Sequence, residues 1–372
     1  MMAVRTRDDY ENVLAAVGAC LSVRIPVLLW GPPGAGKTSV IESAAERGWT
    51  VETLVISHYE PSDLAGLPLL SDGQVVLAPP GWAKRLAETD GPSIAFFDEF
   101  STASPALQAA ALRPLTHYKV GDLQLPETVS FVAAANPADV AAAGWELAAP
   151  TANRFCHLDW DLPLEVYAEC LVSEVWPAIP VGPLPEGYER ALDQQRAKIA
   201  GFLRVRSSQL SKIPENATDR GRAYPTPRTW DYAGRLSAYA LAAGANPAVV
   251  RLLVAGCVGD LVAHEFLAYA AMNDLPDPED VLDGYYIFAG TKPDRTYVIL
   301  QSVLAAVQRD PSRWTAAVEA CSRAALEVGI DPAVPAVRAL LRPGARPPGA
   351  ALPADIKVFA PVLALVGLLP KA

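Results

Sequence analysis

Short apolar runs alternate with helical or loop stretches through the first 160 residues of the chain. Ahead of them, apolar residues spaced three and four apart predict an amphipathic helix over residues 8–21. The runs have the length of buried strands and occupy residues 25–30, 51–56, 94–97, 129–135 and 155–160. Because strands that alternate with helices form parallel sheets covered on both faces, we predict an α/β domain with a parallel five-stranded sheet over residues 1–162.

Two further segments of this region have the pattern of β-hairpins. Residues 66–79 place two apolar stretches around Ser71-Asp72-Gly73-Gln74, and residues 118–125 place two shorter ones around Gly121-Asp122. Tight turns rich in Gly and Asp between apolar stretches are typical of hairpins. The pattern alone leaves two alternatives open, surface decoration and functional loops.

Beyond residue 162 the pattern becomes almost entirely helical. Residues 163–187 are predicted to be a Pro-rich linker, and residues 188–342 an all-α region. Residues 343–372 form a Pro/Gly-rich tail that ends in a short apolar helix at about 355–369. The helices predicted within the all-α region are 188–206, 228–243, 247–272, 296–309, 311–328 and 333–341.

The composition is that of a folded protein. The 372 residues are 51% hydrophobic, which suffices for two domains with a core each. The net charge of −10 argues against a protein that wraps nucleic acid, because the phosphate backbone requires a basic face. No segment is predicted to span a membrane.

The five cysteines are scattered and include no C-x-x-C pair, so neither a disulfide framework nor a zinc site is indicated. The four histidines also lack the spacing of metal ligands. Residues 1–9 move straight into charge without the apolar core of a secretory signal. We therefore expect a cytoplasmic protein.

A glycine-rich loop follows the first predicted strand and leads into a helix. It reads Gly31-Pro32-Pro33-Gly34-Ala35-Gly36-Lys37-Thr38-Ser39, which contains G-x-x-x-x-G-K-[ST] between the elements that this motif requires. Small residues let backbone N–H groups approach phosphate oxygens closely. Lys37 is predicted to reach the β- and γ-phosphates, and Thr38 to place its hydroxyl on Mg²⁺.

Two adjacent acids follow the apolar run at 94–97. Nucleotide hydrolysis requires one carboxylate that holds hydrated Mg²⁺ and another that orients and activates water. We assign the first role to Asp98, which thereby joins the nucleotide-binding residues, and the second to Glu99. Without the glycine loop, these residues would be read as solvated acids at the end of a strand.

Asn136 follows the strand predicted at 129–135. In a parallel sheet, the residues that follow each strand meet at the carboxyl edge, so Asn136 is expected beside Asp98 and the glycine loop. An amide in that position can hydrogen-bond both the attacking water and a γ-phosphate oxygen.

Two arginines are candidates for stabilising negative charge during phosphoryl transfer. Arg154 stands directly before the run at 155–160, where it could serve as an arginine finger or form only a surface salt bridge. Arg228 lies in the first turn of a predicted helix, where a cation opposes the helix dipole. An anionic ligand supplied by the first domain would explain its position.

Taken in order, these motifs resemble those of the MoxR-type branch of the AAA+ ATPases, close to the dynein-related group. The resemblance covers about residues 8–272 and no motif beyond them. It marks residues 31–38 as Walker A, 96–99 as Walker B, Asn136 as sensor 1, 153–155 as the finger-bearing motif, and Pro227-Arg228 as sensor 2.

This resemblance implies a P-loop NTPase AAA+ core with two β-hairpin inserts, an all-α lid domain and a helical C-terminal extension. The hairpin at 66–79 would be the helix-2 insert and that at 118–125 the pre-sensor-1 hairpin. The ligands would be ATP and Mg²⁺. A hexameric ring is implied, in which Arg154 acts on the nucleotide of the neighbouring subunit and Arg228 contacts the γ-phosphate from the lid.

Two functions from different classes remain open at this point. The first is a motor that remodels a protein client or loads a metal into it, as relatives do together with a separate von Willebrand factor A-domain protein. The second is a nucleotide-gated switch in which slow hydrolysis resets assembly. A nucleic-acid translocase is a third reading that the charge balance disfavours.

Overall fold

The computed structural model describes residues 6–137, 145–272, 275–342 and 344–361 of the chain. The chain divides into two compact units. The first consists of Met1–Tyr188 and Ser208–His264, and the second of Glu189–Ser207 and Glu265–Ala372.

The strands of the described ranges all belong to the first unit. They are β1 Val27–Trp30, β2 Thr50–Val55, β3 Leu67–Ser71, β4 Gln74–Ala78, β5 Ser93–Asp98, β6 Lys119–Val120, β7 Leu123–Gln124, β8 Val129–Ala135 and β9 Cys156–Asp159.

Most helices of the first unit pack around these strands. They are α1 Arg7–Val23, α2 Lys37–Glu42, α3 Pro61–Ala65, α4 Gly81–Ala87, α5 Pro105–His117, α6 Ala149–Ala152 and α7 Leu164–Ser173. Next along the chain come α8 Tyr188–Val205, α9 Ala217–Arg220, α10 Pro227–Ala242, α11 Pro247–Val258 and α12 Asp260–Met272. Of these, α8 lies almost wholly in the second unit, and α12 begins in the first and continues into the second.

Five of the strands form one parallel sheet in the order β2-β5-β8-β1-β9. All residues of β1 and β8 are buried, as expected for central strands covered on both faces. In register, Trp30 of β1 stands beside Ala135 of β8 and Asp159 of β9. The chain therefore leaves β1, β5 and β8 at one carboxyl edge, and the predicted α/β fold with a parallel five-stranded sheet is confirmed.

Both predicted hairpins are present. Strands β3 and β4 pair antiparallel around Asp72 and Gly73, which both have positive φ, as a tight hairpin turn requires. Strands β6 and β7 pair around Gly121, whose φ is 58°. Leu67, Leu69, Leu70 and Val75 of the first hairpin are exposed.

Two helix predictions differ from the structure. The segment 247–272 was expected to be one helix, but it is divided into α11 and α12 at Gly259, where a φ of 85° ends the first helix. Within the expected linker at 163–187, the residues before the prolines form α7. A proline ends a helix that comes before it in the chain, but it does not prevent that helix from forming.

The regular secondary structure in the described part of the second unit is helical. It continues with α13 Pro278–Leu282, α14 Pro293–Arg309, α15 Trp314–Glu327 and α16 Val334–Leu340, which bury a core around Trp314 and Phe288. The indole N–H of Trp314 donates to the carbonyl of Leu340 at 2.9 Å. A single 3₁₀ segment, Ala354–Phe359, stands where the tail helix was expected to begin, and residues 362–372 lie outside the described ranges.

Among the helices described, none combines the length and the apolar character that a membrane crossing demands.

Candidate functional site

The glycine loop joins β1 directly to α2, and its backbone requires glycine at several positions. Gly34 and Gly36 have φ values of 76° and 75°, which side chains other than glycine rarely adopt. A Cβ on Gly31 would lie 2.4 Å from the carbonyl oxygen of Trp160. Trp160 also stabilises the loop, because its indole N–H donates to the carbonyl of Ala35 at 2.9 Å.

Lys37 closes this loop from within. Its Nζ donates to the carbonyls of Gly31 at 2.7 Å and Pro32 at 2.9 Å, and to Oδ1 of Asn136 at 3.2 Å. The side chain is buried, and burial lowers the pKa of the ammonium, while the nearby carboxylate of Asp98 opposes that shift. A buried cation such as this one is stabilised when an anion binds beside it.

Thr38 and Asp98 present oxygen atoms at the mouth of the loop. The Thr38 hydroxyl donates to Oδ2 of Asp98 at 2.8 Å, and Oδ1 of the same carboxylate accepts the backbone N–H of Glu99 at 2.9 Å. A hydroxyl and a carboxylate are the hard oxygen donors that Mg²⁺ prefers, and Mg²⁺ usually keeps several waters beside one or two such groups. These residues fit a hydrated Mg²⁺ ion.

Glu99 has a backbone conformation that directs it away from the strand it follows. Its φ is 55°, which is uncommon for a residue other than glycine, and Thr102 fixes it by donating its hydroxyl to the Glu99 carbonyl at 2.8 Å. The carboxylate is exposed and accepts a long hydrogen bond of 3.4 Å from the hydroxyl of Ser57. Glu99 is thus free to bind a water molecule in the cleft.

Asn136 comes directly after β8, as predicted. Its backbone N–H donates to the Ser101 hydroxyl at 3.1 Å, and its side-chain oxygen accepts the hydrogen bond from Lys37. Hydrogen bonds therefore hold both the backbone and the side chain of Asn136 in place.

These residues surround one cleft of about 300 Å³. Residues 33–39 of the loop form one wall, and Asp98, Glu99 and Asn136 form the base. Leu162, Tyr167 and Trp176 complete the lining, and the Trp176 ring lies so close to Gly36 that a Cβ there would approach it to 2.9 Å. The motifs of the sequence did not predict these three residues, although two aromatic residues in the expected linker were a signal that it packs against the rest of the chain.

Arg154 lies at the opposite edge of the sheet from this cleft. It comes two residues before β9 begins, whereas the cleft lies where the strands end. At roughly 3.3 Å per residue, the four residues of β9 separate the two edges by roughly 13 Å. The Arg154 guanidinium donates to the Thr116 hydroxyl at 2.6 Å and to the carbonyl of Pro150.

Arg228 lies beside Arg154 and does not line the cleft. It is in the first turn of α10, after a helix cap in which the Thr226 hydroxyl accepts the Thr229 N–H. Its guanidinium donates to Oδ1 of Asn153 at 3.3 Å. Burial and, secondarily, the charge of Arg228 lower the pKa of Arg154.

The two guanidiniums form no ion pair with any carboxylate of the described residues. The structure thus brings together Lys37, Thr38, Asp98, Glu99 and Asn136 and groups Arg154 with Arg228 elsewhere.

Comparison with known proteins agrees with this geometry. Residues 26–155 match the AAA domain family of the dynein-related subfamily. This stretch contains the glycine loop, Asp98, Glu99, Asn136 and Arg154, so the predictions of an AAA+ P-loop NTPase fold and of an ATPase are confirmed. Among curated proteins, no relative of the sequence was found.

Two solved structures match parts of this chain at low identity. A candidate ATPase from Cytophaga hutchinsonii is 14% identical, with a TM-score of 0.44, and the match covers 72% of this chain and 90% of that one. An MCM homolog from Methanopyrus kandleri is 17% identical, with a TM-score of 0.34, over 71% of this chain and 54% of that one.

Proposed function

We propose that this protein is a Mg²⁺-dependent ATPase that assembles into a ring and uses hydrolysis to remodel a protein client. The observation that supports the ring is the separation of the catalytic groups. Lys37, Thr38, Asp98, Glu99 and Asn136 line one cleft, whereas Arg154 and Arg228 lie at the opposite edge of the sheet. The arginines of one copy do not reach the cleft of the same copy. A neighbouring copy can supply both arginines to that cleft.

Within each cleft, the residues divide the work of hydrolysis. The loop N–H groups and Lys37 bind the phosphates. Thr38 and Asp98 would hold Mg²⁺, which would supply positive charge against the phosphate oxygens. Glu99 orients the attacking water and accepts its proton, and the Asn136 amide positions that water against the phosphate. Arg154 and Arg228 from the next copy stabilise the charge that develops as the bond to phosphorus breaks.

The β3–β4 hairpin supports a protein as the client. It projects four exposed apolar side chains on strands that pair only with each other. Such an exposed apolar patch is typical of a surface that binds protein, and it offers no cations for a phosphate backbone. By resemblance to MoxR-type ATPases, the ring would have six subunits and a separate von Willebrand factor A-domain protein as partner.

The experiment that tests this function measures ATPase rate and assembly mass together over a range of protein concentrations. The wild type should turn over Mg·ATP with a specific activity that rises with concentration, and Glu99→Gln should bind ATP, fail to hydrolyse it and accumulate as a ring. A Glu99→Gln protein that hydrolyses ATP like wild type, or a chain that stays monomeric at every concentration, would contradict the proposal.

The choice of client is tested on the same preparation. A chemically unfolded polypeptide should stimulate the ATPase, and Leu70→Asp at the exposed hairpin should remove the stimulation while keeping the basal rate. Stimulation by duplex DNA that declines steeply with salt would favour the translocase instead.

A further inference from the structure

The glutamine of α5 is buried although its side chain is polar. Gln108 is 1% exposed, and a buried amide is costly unless hydrogen bonds satisfy it. Its Nε2 donates to the carbonyls of Ala103 at 3.0 Å and Glu146 at 3.2 Å, and its Oε1 accepts the backbone N–H of Ala148 at 2.7 Å. The Gln108 amide therefore fixes the segment 146–148 to the start of α5.

This segment leads directly into the helical turn that precedes Arg154. Ala148 is the N-cap of α6, and its carbonyl accepts the N–H groups of Thr151 and Ala152 at 2.8 and 2.9 Å. The backbone N–H of Arg154 in turn donates to the carbonyl of Thr151 at 3.1 Å. A continuous series of hydrogen bonds therefore connects the Gln108 amide to the backbone of Arg154.

The same helix also holds the side chain of Arg154. Thr116, near the end of α5, accepts the Nε–H of Arg154 at 2.6 Å. Thr116 comes eight residues after Gln108, which is about 12 Å along a helix. Helix α5 thus determines the position of this arginine at two separate points, the backbone through Gln108 and the guanidinium through Thr116.

We propose that Gln108 is a positioning residue for Arg154. This inference rests on the proposed function, in which Arg154 acts on the nucleotide bound by a neighbouring chain. A displacement of about 1 Å in a group that stabilises the transition state can reduce the rate about 100-fold. Among the described residues, those that line the nucleotide cleft do not include Gln108. Its loss should therefore reduce turnover and leave the affinity for ATP unchanged.

The first variant replaces the amide with a side chain of similar length. Methionine cannot donate to the two carbonyls and is only a weak acceptor. We expect Gln108→Met to lower kcat by roughly 10- to 100-fold, with ATP affinity as in wild type. Gln195→Met, at a buried glutamine of α8 in the second unit, is the matched control and should keep the wild-type rate. A wild-type kcat in Gln108→Met would overturn the proposal.

Mixing experiments separate a positioning role from a merely structural one. Gln108→Met keeps Glu99, so it should regain activity beside Glu99→Gln, which supplies a correctly placed Arg154. It should regain none beside Arg154→Ala, because neither chain then supplies such an arginine. A chain that is only destabilised would respond alike to both partners. The mixture of Arg154→Ala with Glu99→Gln is the reference for full recovery.

A second variant removes one of these hydrogen bonds from the other side, where the side chain is exposed and folding is at less risk. Ala148 has a φ of −61°, which is close to the value that proline adopts. Ala148→Pro therefore keeps the backbone φ but removes the N–H that Gln108 accepts. It should lower kcat and show the same pattern in the mixtures as Gln108→Met. If thermal unfolding shows that Gln108→Met is not folded, Ala148→Pro decides alone.

The outcomes distinguish this inference from the function on which it rests. If Arg154→Ala and Glu99→Gln do not complement each other, the action of the arginine between chains is overturned, and this inference with it. If they do complement each other, but the folded Gln108 and Ala148 variants recover equally with both partners or with neither, only the positioning role of Gln108 is overturned.

Discussion

The hydroxyl of Thr38 lies 2.8 Å from the carboxylate of Asp98, although 60 positions separate the two residues in sequence. They meet because β1 and β5 both end at the carboxyl edge of the sheet, with β8 between them. The hydrogen bond sets two hard oxygens at the spacing of neighbouring ligands of one ion. This geometry makes Asp98 the residue whose loss should affect metal dependence most directly.

We predict that Asp98→Asn raises the Mg²⁺ concentration needed for half-maximal ATPase and lowers the maximal rate by about 100-fold, the order expected when a group that positions charge at the phosphates is lost. The substitution keeps the shape of the side chain but removes its charge. A Mg²⁺ titration of the ATPase measures both effects. Asp72→Asn, in the exposed hairpin turn, is the matched control, and an unchanged Mg²⁺ dependence of Asp98→Asn would remove Asp98 from the metal site.

The position of Arg154 predicts complementation between two inactive proteins. Glu99→Gln lacks the carboxylate that we propose activates water but keeps Arg154, and Arg154→Ala lacks the arginine but keeps Glu99. We expect each to lose at least about 100-fold in rate alone, in line with the effect of arginine fingers. Their mixture should regain activity at interfaces where the Arg154→Ala cleft receives arginine from the other chain.

The rate of such mixtures, measured against mixing ratio, distinguishes action between chains from action within one chain. A rate that equals the sum of the separate rates at every ratio would show that Arg154 serves its own chain. Activity that follows the number of mixed interfaces would show that it serves the neighbour.

The sequence predicted the loop, Asp98, Glu99 and Asn136 because each is fixed by its place after an apolar strand, and parallel strands deliver such residues to one edge. It did not predict that Tyr167 and Trp176 line the same cleft, because that depends on how α7 folds back, and no local pattern encodes it. The position of Arg228 likewise depends on tertiary packing. Its role was expected at the γ-phosphate from its own lid, whereas its contact is Asn153 at the other edge.

His157 predicts how the stability of the protein depends on pH. Trp30 donates its indole N–H to Nδ1 of this histidine at 3.0 Å, and Nε2 donates to the carbonyl of Ala152 at 2.9 Å, so the neutral ring is fully bonded. Burial, the largest cause, lowers the pKa of His157 to about 4. Between pH 6.5 and 4 the unfolded chain therefore binds a proton that the folded chain does not.

The contribution of His157 to the free energy of unfolding is fully present above pH 6.5. It declines as the pH falls toward 4, and the total loss is about 3 kcal/mol. Urea unfolding at a series of pH values should show this decline in wild type and a shallower one in His157→Gln, whose amide can accept from Trp30 and donate to Ala152. His264→Gln, at an exposed histidine, should behave like wild type. Equal slopes for all three proteins would show that His157 titrates alike in both states.

Gly34 and Gly36 allow two costs of a side chain in the phosphate loop to be separated. Both have φ near 75°, but a Cβ on Gly34 meets open space, whereas one on Gly36 meets the Trp176 ring at 2.9 Å. We expect Gly34→Ala to carry only the backbone strain of roughly 1–2 kcal/mol. Gly36→Ala should carry the same strain and also displace Trp176, so it should bind ATP more weakly than Gly34→Ala.

The added cost in Gly36→Ala should depend on the indole. Trp176→Ala introduced into Gly36→Ala should therefore restore ATP affinity toward that of Gly34→Ala, whereas Trp176→Ala introduced into Gly34→Ala should give no gain. Binding titrations of the four proteins with a fluorescent ATP analogue compare the effect of Trp176→Ala in the two glycine variants, with Gly34→Ala as the control. If Trp176→Ala has the same effect in both glycine variants, the indole does not pack on Gly36 in solution. Trp176 would then not line the cleft as described.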